Sequence, residues 1–160
     1  MHSTRNDLPE ATRARVIEVL AARLADAIDL QTQTKQAHWN VKGPSFIALH
    51  ELFDKIATDV TGYVDELAER IVQLGGTTAG TVRQVARASS LPEYPANLVS
   101  GRDHADALAA ALATFGRGVR HAIDQASELR DADTADLFTE VSRGIDKWLW
   151  FVEAHLQAAQ

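Results

Sequence analysis

The feature that most constrains the fold is the spacing of the apolar residues, which recur every three or four positions through four long stretches. In the first stretch, Ile17, Leu20, Leu24 and Ile28 show this spacing. A period near 3.6 places side chains on one face of an α-helix, whereas a strand requires a period of two. The sequence therefore predicts an all-α chain without strands or internal repeats.

Capping residues and helix breakers set the predicted ends of the first two long helices. Asp7 is predicted to cap the first, with Glu10 completing a capping box, and the pattern runs to about Trp39. Residues 40–44 (NVKGP) break it. The second helix is predicted over 46–74, and the flanking residues indicate its ends: Ser45 as its N-cap, and Gly75 and Gly76 as its terminators.

Two further long helices follow a weaker segment. The third is predicted to start at Ser100 or Asp103 and to reach Leu129, and the fourth to be capped by Asp133 and to reach Leu156. Segment 77–99 contains only one short predicted helix, at 82–88, and is long enough to cross a bundle. A long crossover between the second and third long helices is typical of the ferritin-like four-helix bundle. We expect one domain over 1–160, with 1–7 as a flexible tail.

Composition limits the chemistry. The chain of 160 residues is 46% hydrophobic and 24% charged, as in soluble globular proteins. It contains no apolar run long enough to span a membrane, and its start lacks a secretory signal, so we expect a cytoplasmic protein. There is no cysteine, so any metal must bind nitrogen and oxygen ligands. The net charge of −6 argues against broad nucleic-acid binding and favours cations.

One face of the second helix carries metal-binding residue types outside the predicted core stripe. His50, Asp54, Asp65 and Glu69 fall within an arc of about 100°. Imidazoles and carboxylates are ligands of divalent metals. The neighbouring polar residues, Asp59 among them, are predicted to form an ordinary solvated face.

These four residues cannot bind one ion within one helix, because Asp54 and Asp65 lie about 16 Å apart along the axis. However, His50 with Glu69 and Asp54 with Asp65 share the midpoint 59.5. An antiparallel copy related by a two-fold axis there would set His50 and Asp54 against the partner's Asp65 and Glu69. Each dimer would then hold two identical sites. Small residues near the axis permit close approach: Thr58, Thr61 and Gly62.

His38 is predicted to join this set, because it ends the first helix close to the start of the second. Trp39, beside it, is a candidate redox-active neighbour, although a tryptophan is more often a core residue. Three further histidines, His104, His121 and His155, are interpreted as surface or packing residues, and Trp148 and Trp150 as packing or interface residues.

Several segments together resemble the Dps family, the DNA-binding proteins from starved cells. They are 35–44 (KQAHWNVKGP), 100–104 (SGRDH) and 133–138 (DTADLF), with His50 and Asp54 following the first. The resemblance implies a hollow shell of twelve subunits that oxidises Fe(II), preferentially with hydrogen peroxide, and stores ferric mineral.

By the same resemblance, two-fold-related subunits share each ferroxidase site. Its iron ligands fall on His38, His50 and Asp54 of one subunit and on Asp65 and Glu69 of the other. The chain has no Glu-x-x-His motif of the kind that builds di-iron sites inside one bundle, which also favours a shared site.

The start of the fourth helix is acidic. Family members have acidic residues near here that line a three-fold pore for iron, so the resemblance implies this role for Asp131, Asp133 and Asp136. Helix capping and the helix dipole offer a second explanation for Asp133 and Asp136.

Two other functions remain open at this point. DNA-binding members often carry a lysine-rich tail, but the first fifteen residues contain no lysine, so we expect weak or absent DNA binding at physiological salt. A nucleoid-packing Dps with little ferroxidase activity is nevertheless an alternative. A metal hydrolase is another, because 50–54 (HELFD) resembles His-Glu-x-x-His with an aspartate in place of the second histidine.

Overall fold

The computed structural model describes residues 1–157, and no strand occurs in that range. Two segments touch through a single isolated parallel bridge between Lys42 and Ser100. The five helices are α1 (Glu10–Asn40), α2 (Phe46–Gln73), α3 (Val82–Ala88), α4 (Gly101–Glu128) and α5 (Ala132–Ala154).

The four long helices form one bundle around a continuous apolar core. α1 packs on α2 and α4, α5 packs on α4, and the long connection between α2 and α4 lays α3 against α1. Phe53, Phe115 and Phe138 are fully buried at the centre. The all-α bundle with a crossover helix between its second and third long helices is therefore confirmed for the described residues, while residues 158–160 of the predicted domain lie outside them.

Several residues that were predicted to cap helices make no capping hydrogen bond, although the helices begin and end close to the predicted positions. α1 begins at Glu10, two residues later than a cap at Asp7 would place it, and Pro9 stands at the N-cap position with no side-chain hydrogen bond. The Ser45 side chain does not cap α2 either. The structure has its capping box at Thr81 and Gln84 on α3 instead. Of the two candidate starts for α4, Ser100 is the cap and accepts a hydrogen bond from the Asp103 backbone N–H.

The cap of α5 is Asp131, and the prediction of Asp133 is wrong. The Asp131 carboxylate accepts a bond from the Thr134 backbone N–H at 3.1 Å and is almost completely buried. Arg70 of α2 binds both of its oxygens, at 2.9 and 3.1 Å. Buried cations and carboxylates need such partners, and Asp131 has them inside the subunit.

The predicted solvated face of α2 holds only in part at Asp59, because its side chain is 42% exposed but also lies against α5. The Trp148 indole N–H donates to Asp59 at 3.0 Å. Nearby, Tyr63 packs so closely on Gly144 that a Cβ there would overlap its hydroxyl group. α2 and α5 therefore meet through polar and aromatic contacts in addition to core packing.

Residues 1–7 contain no helix or strand. The His2 backbone N–H donates to the Gly75 carbonyl at 2.6 Å, just where α2 ends. Gly75 has a φ of +87°, so a glycine ends α2 as predicted. The expected flexibility of the tail stays a prediction.

Candidate metal centre

The end of α1 and the start of α2 hold two histidines in a reciprocal arrangement. The rings of His38 and His50 stack with their centroids 3.7 Å apart. Nδ1 of His38 donates to the backbone carbonyl of His50 at 2.8 Å, and Nδ1 of His50 donates to the carbonyl of His38 at 2.9 Å. Each residue therefore orients the other.

This arrangement decides which nitrogen can bind a metal. A carbonyl only accepts hydrogen bonds, so Nδ1 must carry the hydrogen in both rings. In the neutral imidazole the lone pair is then on Nε2, which is the donor atom that a metal requires. A hydrogen bond from the second ring nitrogen is the usual way in which proteins orient metal-binding histidines. His38 and His50 thus fit a metal centre.

Asp54 lies one turn of α2 beyond His50 and beside His38. Its Oδ1 is 4.0 Å from Nε2 of His38, and its side chain is 55% exposed. Lys35 of α1 donates to the same oxygen at 2.7 Å. This hydrogen bond and the positive charge of Lys35 lower the pKa of Asp54, so the carboxylate is ionised at neutral pH. We call His38, His50 and Asp54 the buttressed half-site.

Lys35 was not among the residues predicted for this site, although the sequence contains a signal for it. Lys35 precedes His38 by three residues, which places both on the same face of α1. A lysine is not a metal ligand, so a search for ligand types passes over it.

Asp65 and Glu69 lie farther along α2 and are exposed. We call them the acidic half-site. Among residues 1–157, neither carboxylate makes an ion pair, and no three histidine, aspartate or glutamate side chains converge on one metal position. The described part of one subunit therefore completes neither the predicted five-ligand set nor a zincin-like triad.

The surface between the half-sites is suited to close contact. Thr58 and Thr61 donate their hydroxyl groups to carbonyls of their own helix, at 2.9 and 2.7 Å, which leaves their methyl groups for packing. A Cβ added at Gly62 would meet nothing within 4 Å inside the subunit. The face thus presents small groups at the position of the predicted two-fold axis.

Two exposed apolar residues extend the same symmetry, and the sequence analysis missed them. Ile47 is 61% exposed and Val72 is 57% exposed. Their midpoint is also 59.5, and both fall in the arc of the metal-binding residues. Exposed apolar residues with this symmetry are expected where a helix meets a copy of itself.

The other predicted residues lie outside both half-sites. Trp39 is 67% exposed, with Nζ of Lys35 5.9 Å from its ring centroid. Asp133 and Asp136 are exposed on the first turns of α5, whereas Asp131 is buried against Arg70 and so has no carboxylate to offer to a pore.

His104 is a buried packing residue that is hydrogen-bonded to Tyr94 at 2.6 Å. Trp148 is buried and Trp150 is exposed.

Comparisons with known proteins agree with this architecture. The family model of the ferritin-like domain matches residues 17–160. A DNA protection during starvation protein of Agrobacterium fabrum is 47% identical over 156 residues, covering 98% of this chain and 96% of the relative.

Among the helices described here, none combines the length and apolar character that a bilayer crossing demands.

Solved structures show the same fold. Dps from Mycobacterium smegmatis superposes with a TM-score of 0.93 at 31% identity, covering 98% of this chain and 95% of that one. A Dps protein from Vibrio cholerae, described as a member of a broad superfamily of ferritin-like diiron-carboxylate proteins, reaches 0.90 at 25% identity, with 98% coverage of both chains.

The bundle and the carboxylate–histidine face of α2 define a ferritin-like protein. Within that class, the extent of the match to DNA protection during starvation proteins is decisive. The chain belongs to the Dps family.

Proposed function

We propose that the protein is an iron-storing and peroxide-consuming mini-ferritin whose ferroxidase sites are shared between two-fold-related subunits. One observation carries the proposal: His50 and Asp54 of the buttressed half-site share one face of α2 with the acidic half-site, symmetric about position 59.5, and neither half-site forms a complete ligand set alone. A second copy of α2 would set the buttressed half-site against the partner subunit's Asp65 and Glu69.

The ligand set suits ferrous iron as the substrate. Two neutral imidazoles and three carboxylates bind a divalent cation and favour the ferric state, because carboxylates stabilise the higher charge. Two ferrous ions each give up one electron, and hydrogen peroxide accepts both. Its O–O bond breaks and, with two protons, two waters leave. Because peroxide takes up both electrons of an iron pair at once, no hydroxyl radical is released, and we therefore propose peroxide as the preferred oxidant.

The remaining residues have supporting roles in this proposal. Trp39, exposed next to His38, is placed to donate an electron if oxidation is incomplete. Asp133 and Asp136 of neighbouring subunits would line an entry pore that attracts cations. The net charge of −6 per subunit makes DNA binding weak at physiological salt.

The assembly is expected to be a closed dodecamer built from the two-fold dimers. Twelve copies of the 17.4 kDa chain weigh about 209 kDa. Light scattering at neutral pH and moderate salt measures this mass directly. A monomer in solution would exclude shared sites, whereas a stable dimer would retain them and exclude only the shell.

Co-expression of two damaged chains tests the shared site. One carries His50→Ala with Asp54→Ala, and the other carries Asp65→Ala with Glu69→Ala. Each alone should be nearly inactive, because every site in its homodimer loses one half. In a mixed dimer one of the two sites is intact, so random pairing should restore about a quarter of the wild-type rate of iron oxidation.

Mass spectrometry of the purified mixture must first show that both chains are present in one assembly. Co-assembly without recovered oxidation would contradict the assignment of Asp65 and Glu69 to the partner's site. Recovery well above a quarter would also contradict it, because single chains would then retain activity.

A further inference from the structure

The buttressed half-site already contains a cation. Nζ of Lys35 lies 2.7 Å from Oδ1 of Asp54, while the side chains are 26% and 55% exposed. Ion pairs this exposed contribute little to folding, with typical values of zero to about 1 kcal/mol. Folding stability alone therefore does not explain why the Lys35 ammonium group is hydrogen-bonded to Oδ1 of Asp54, the oxygen that faces Nε2 of His38.

The charges of the proposed shared site give a reason. Each site would combine Asp54 with the partner subunit's Asp65 and the partner subunit's Glu69. Without a metal, three carboxylates would face one another, and like charges at short range repel. In the described residues Lys35 is the cation that lies against this half-site, so it offsets part of the repulsion in the metal-free assembly.

We propose that Lys35 is a resident counter-cation. Its ammonium group pairs with the Asp54 carboxylate in the metal-free site, and an incoming iron ion must displace it. This inference rests on the shared site of the proposed function and adds a residue that sets its affinity. The metal ion and the ammonium compete for the same carboxylate oxygen. Lys35 is thus a positioning residue: it does not ligate the metal, but it sets the free-energy difference between the empty and the filled site.

The structure offers Lys35 a second position. Trp39 follows it by four residues on α1, and Nζ is already 5.9 Å from the Trp39 ring centroid. This distance is at the edge of a cation–π contact. An ammonium displaced from Asp54 can move over this ring without leaving the surface of α1.

Calorimetric titration with Zn²⁺, a redox-inert probe, tests the proposal in the full assembly. Lys35→Met removes the charge and keeps an unbranched chain. We expect it to bind zinc about tenfold tighter than wild type, because the competitor and its repulsion of the ion are both lost. The metal-free variant should also dissociate into subunits at a higher protein concentration than wild type. Lys35→Arg should keep zinc affinity near that of wild type.

Lys55→Met is the matched control, since Lys55 is an exposed lysine of α2 outside the metal-binding arc. It should leave zinc affinity unchanged. If Lys35→Met does not fold, Lys35→Gln carries the same expectation. Equal or weaker zinc binding by a folded, neutral Lys35 variant would overturn the counter-cation while leaving the proposed site in place. Failure of the wild-type assembly to bind zinc would overturn the shared site, and this inference with it.

Discussion

The two half-sites of the proposed metal centre differ in their ligand types and in how those ligands are held. In the buttressed half-site, His38 and His50 stack and exchange hydrogen bonds with each other's backbone carbonyls, and Lys35 contacts Asp54. In the acidic half-site, Asp65 and Glu69 are exposed carboxylates. The comparison teaches that a shared site needs only one rigid half, because the second half can adapt its side chains to an ion that the first has positioned.

Removal of the acidic half-site should produce the largest change in zinc affinity. In Asp65→Asn with Glu69→Gln, we expect zinc affinity to fall by at least about 100-fold, because two of three carboxylates become neutral. The urea midpoint at matched protein concentration should change little, since surface substitutions of this kind usually stay within about 0.5 kcal/mol. A large loss of folding stability would mean that these carboxylates serve the fold, and the contrast between the halves would fail.

His38→Ala should affect both properties. We expect zinc affinity and ferrous oxidation to fall about 10- to 100-fold, together with a stability loss of about 1–3 kcal/mol, because the ring stacking and the hydrogen bond from the His38 ring to the His50 carbonyl are lost. Calorimetry and urea unfolding measure the two effects. His121→Ala, at an exposed histidine of α4, is the control and should change neither. Unchanged zinc binding in His38→Ala would assign His38 a structural role only.

Gly62→Leu tests the surface between the half-sites. The side chain has open space within the subunit, so folding should be preserved, but it would stand at the proposed contact with the partner's α2. We expect the dimer to dissociate at a protein concentration about tenfold higher, as measured by sedimentation velocity over a dilution series. Glu18→Leu, an exposed change on α1, controls for added apolar surface. Equal dissociation of both variants would place the two-fold contact elsewhere.

Substitution of His104 should produce the smallest change in zinc affinity. It tests whether the rigidity of the buttressed half-site depends only on contacts within that half-site. Burial lowers the pKa of His104 below its ordinary value of 6.5. Below that pH the unfolded chain therefore binds more protons than the folded one, and wild-type stability falls as pH falls through this range.

We expect His104→Gln to lose about 1 kcal/mol at pH 7.5, together with its bond to Tyr94, and to show a flatter stability profile from pH 7.5 to 5.5. Zinc affinity should stay within about twofold of wild type. A larger change in zinc affinity would show that the start of α4 supports the histidines at the end of α1.

The sequence predicted the helices better than their caps, for a physical reason. Apolar periodicity records burial of a whole face, and many residues contribute to it. A cap depends on one side chain, and the start of α5 offers two aspartates, Asp131 and Asp133. Only the position of Arg70, sixty-one residues earlier, decides that Asp131 is the buried cap.

The same limit applies to the candidate site. The symmetry of His50, Asp54, Asp65 and Glu69 could be found because it lies within one helix. The contact of Lys35 with Asp54 and that of Asp59 with Trp148 join different helices. Such pairs depend on the rotation of each helix about its axis, which periodicity defines only coarsely.

Arg70 has a further consequence for Glu69, its neighbour in sequence. Its guanidinium group binds both oxygens of Asp131 and, at 2.9 Å, the hydroxyl of Thr134. Rotation of α2 about its own axis would break these bonds, so the Glu69 carboxylate moves most readily through its side-chain torsions. Exposed side chains change rotamer within picoseconds to nanoseconds, whereas helices shift over microseconds or longer. In the proposed shared site, the acidic half-site can therefore close around an arriving ion faster than the bundle can rearrange.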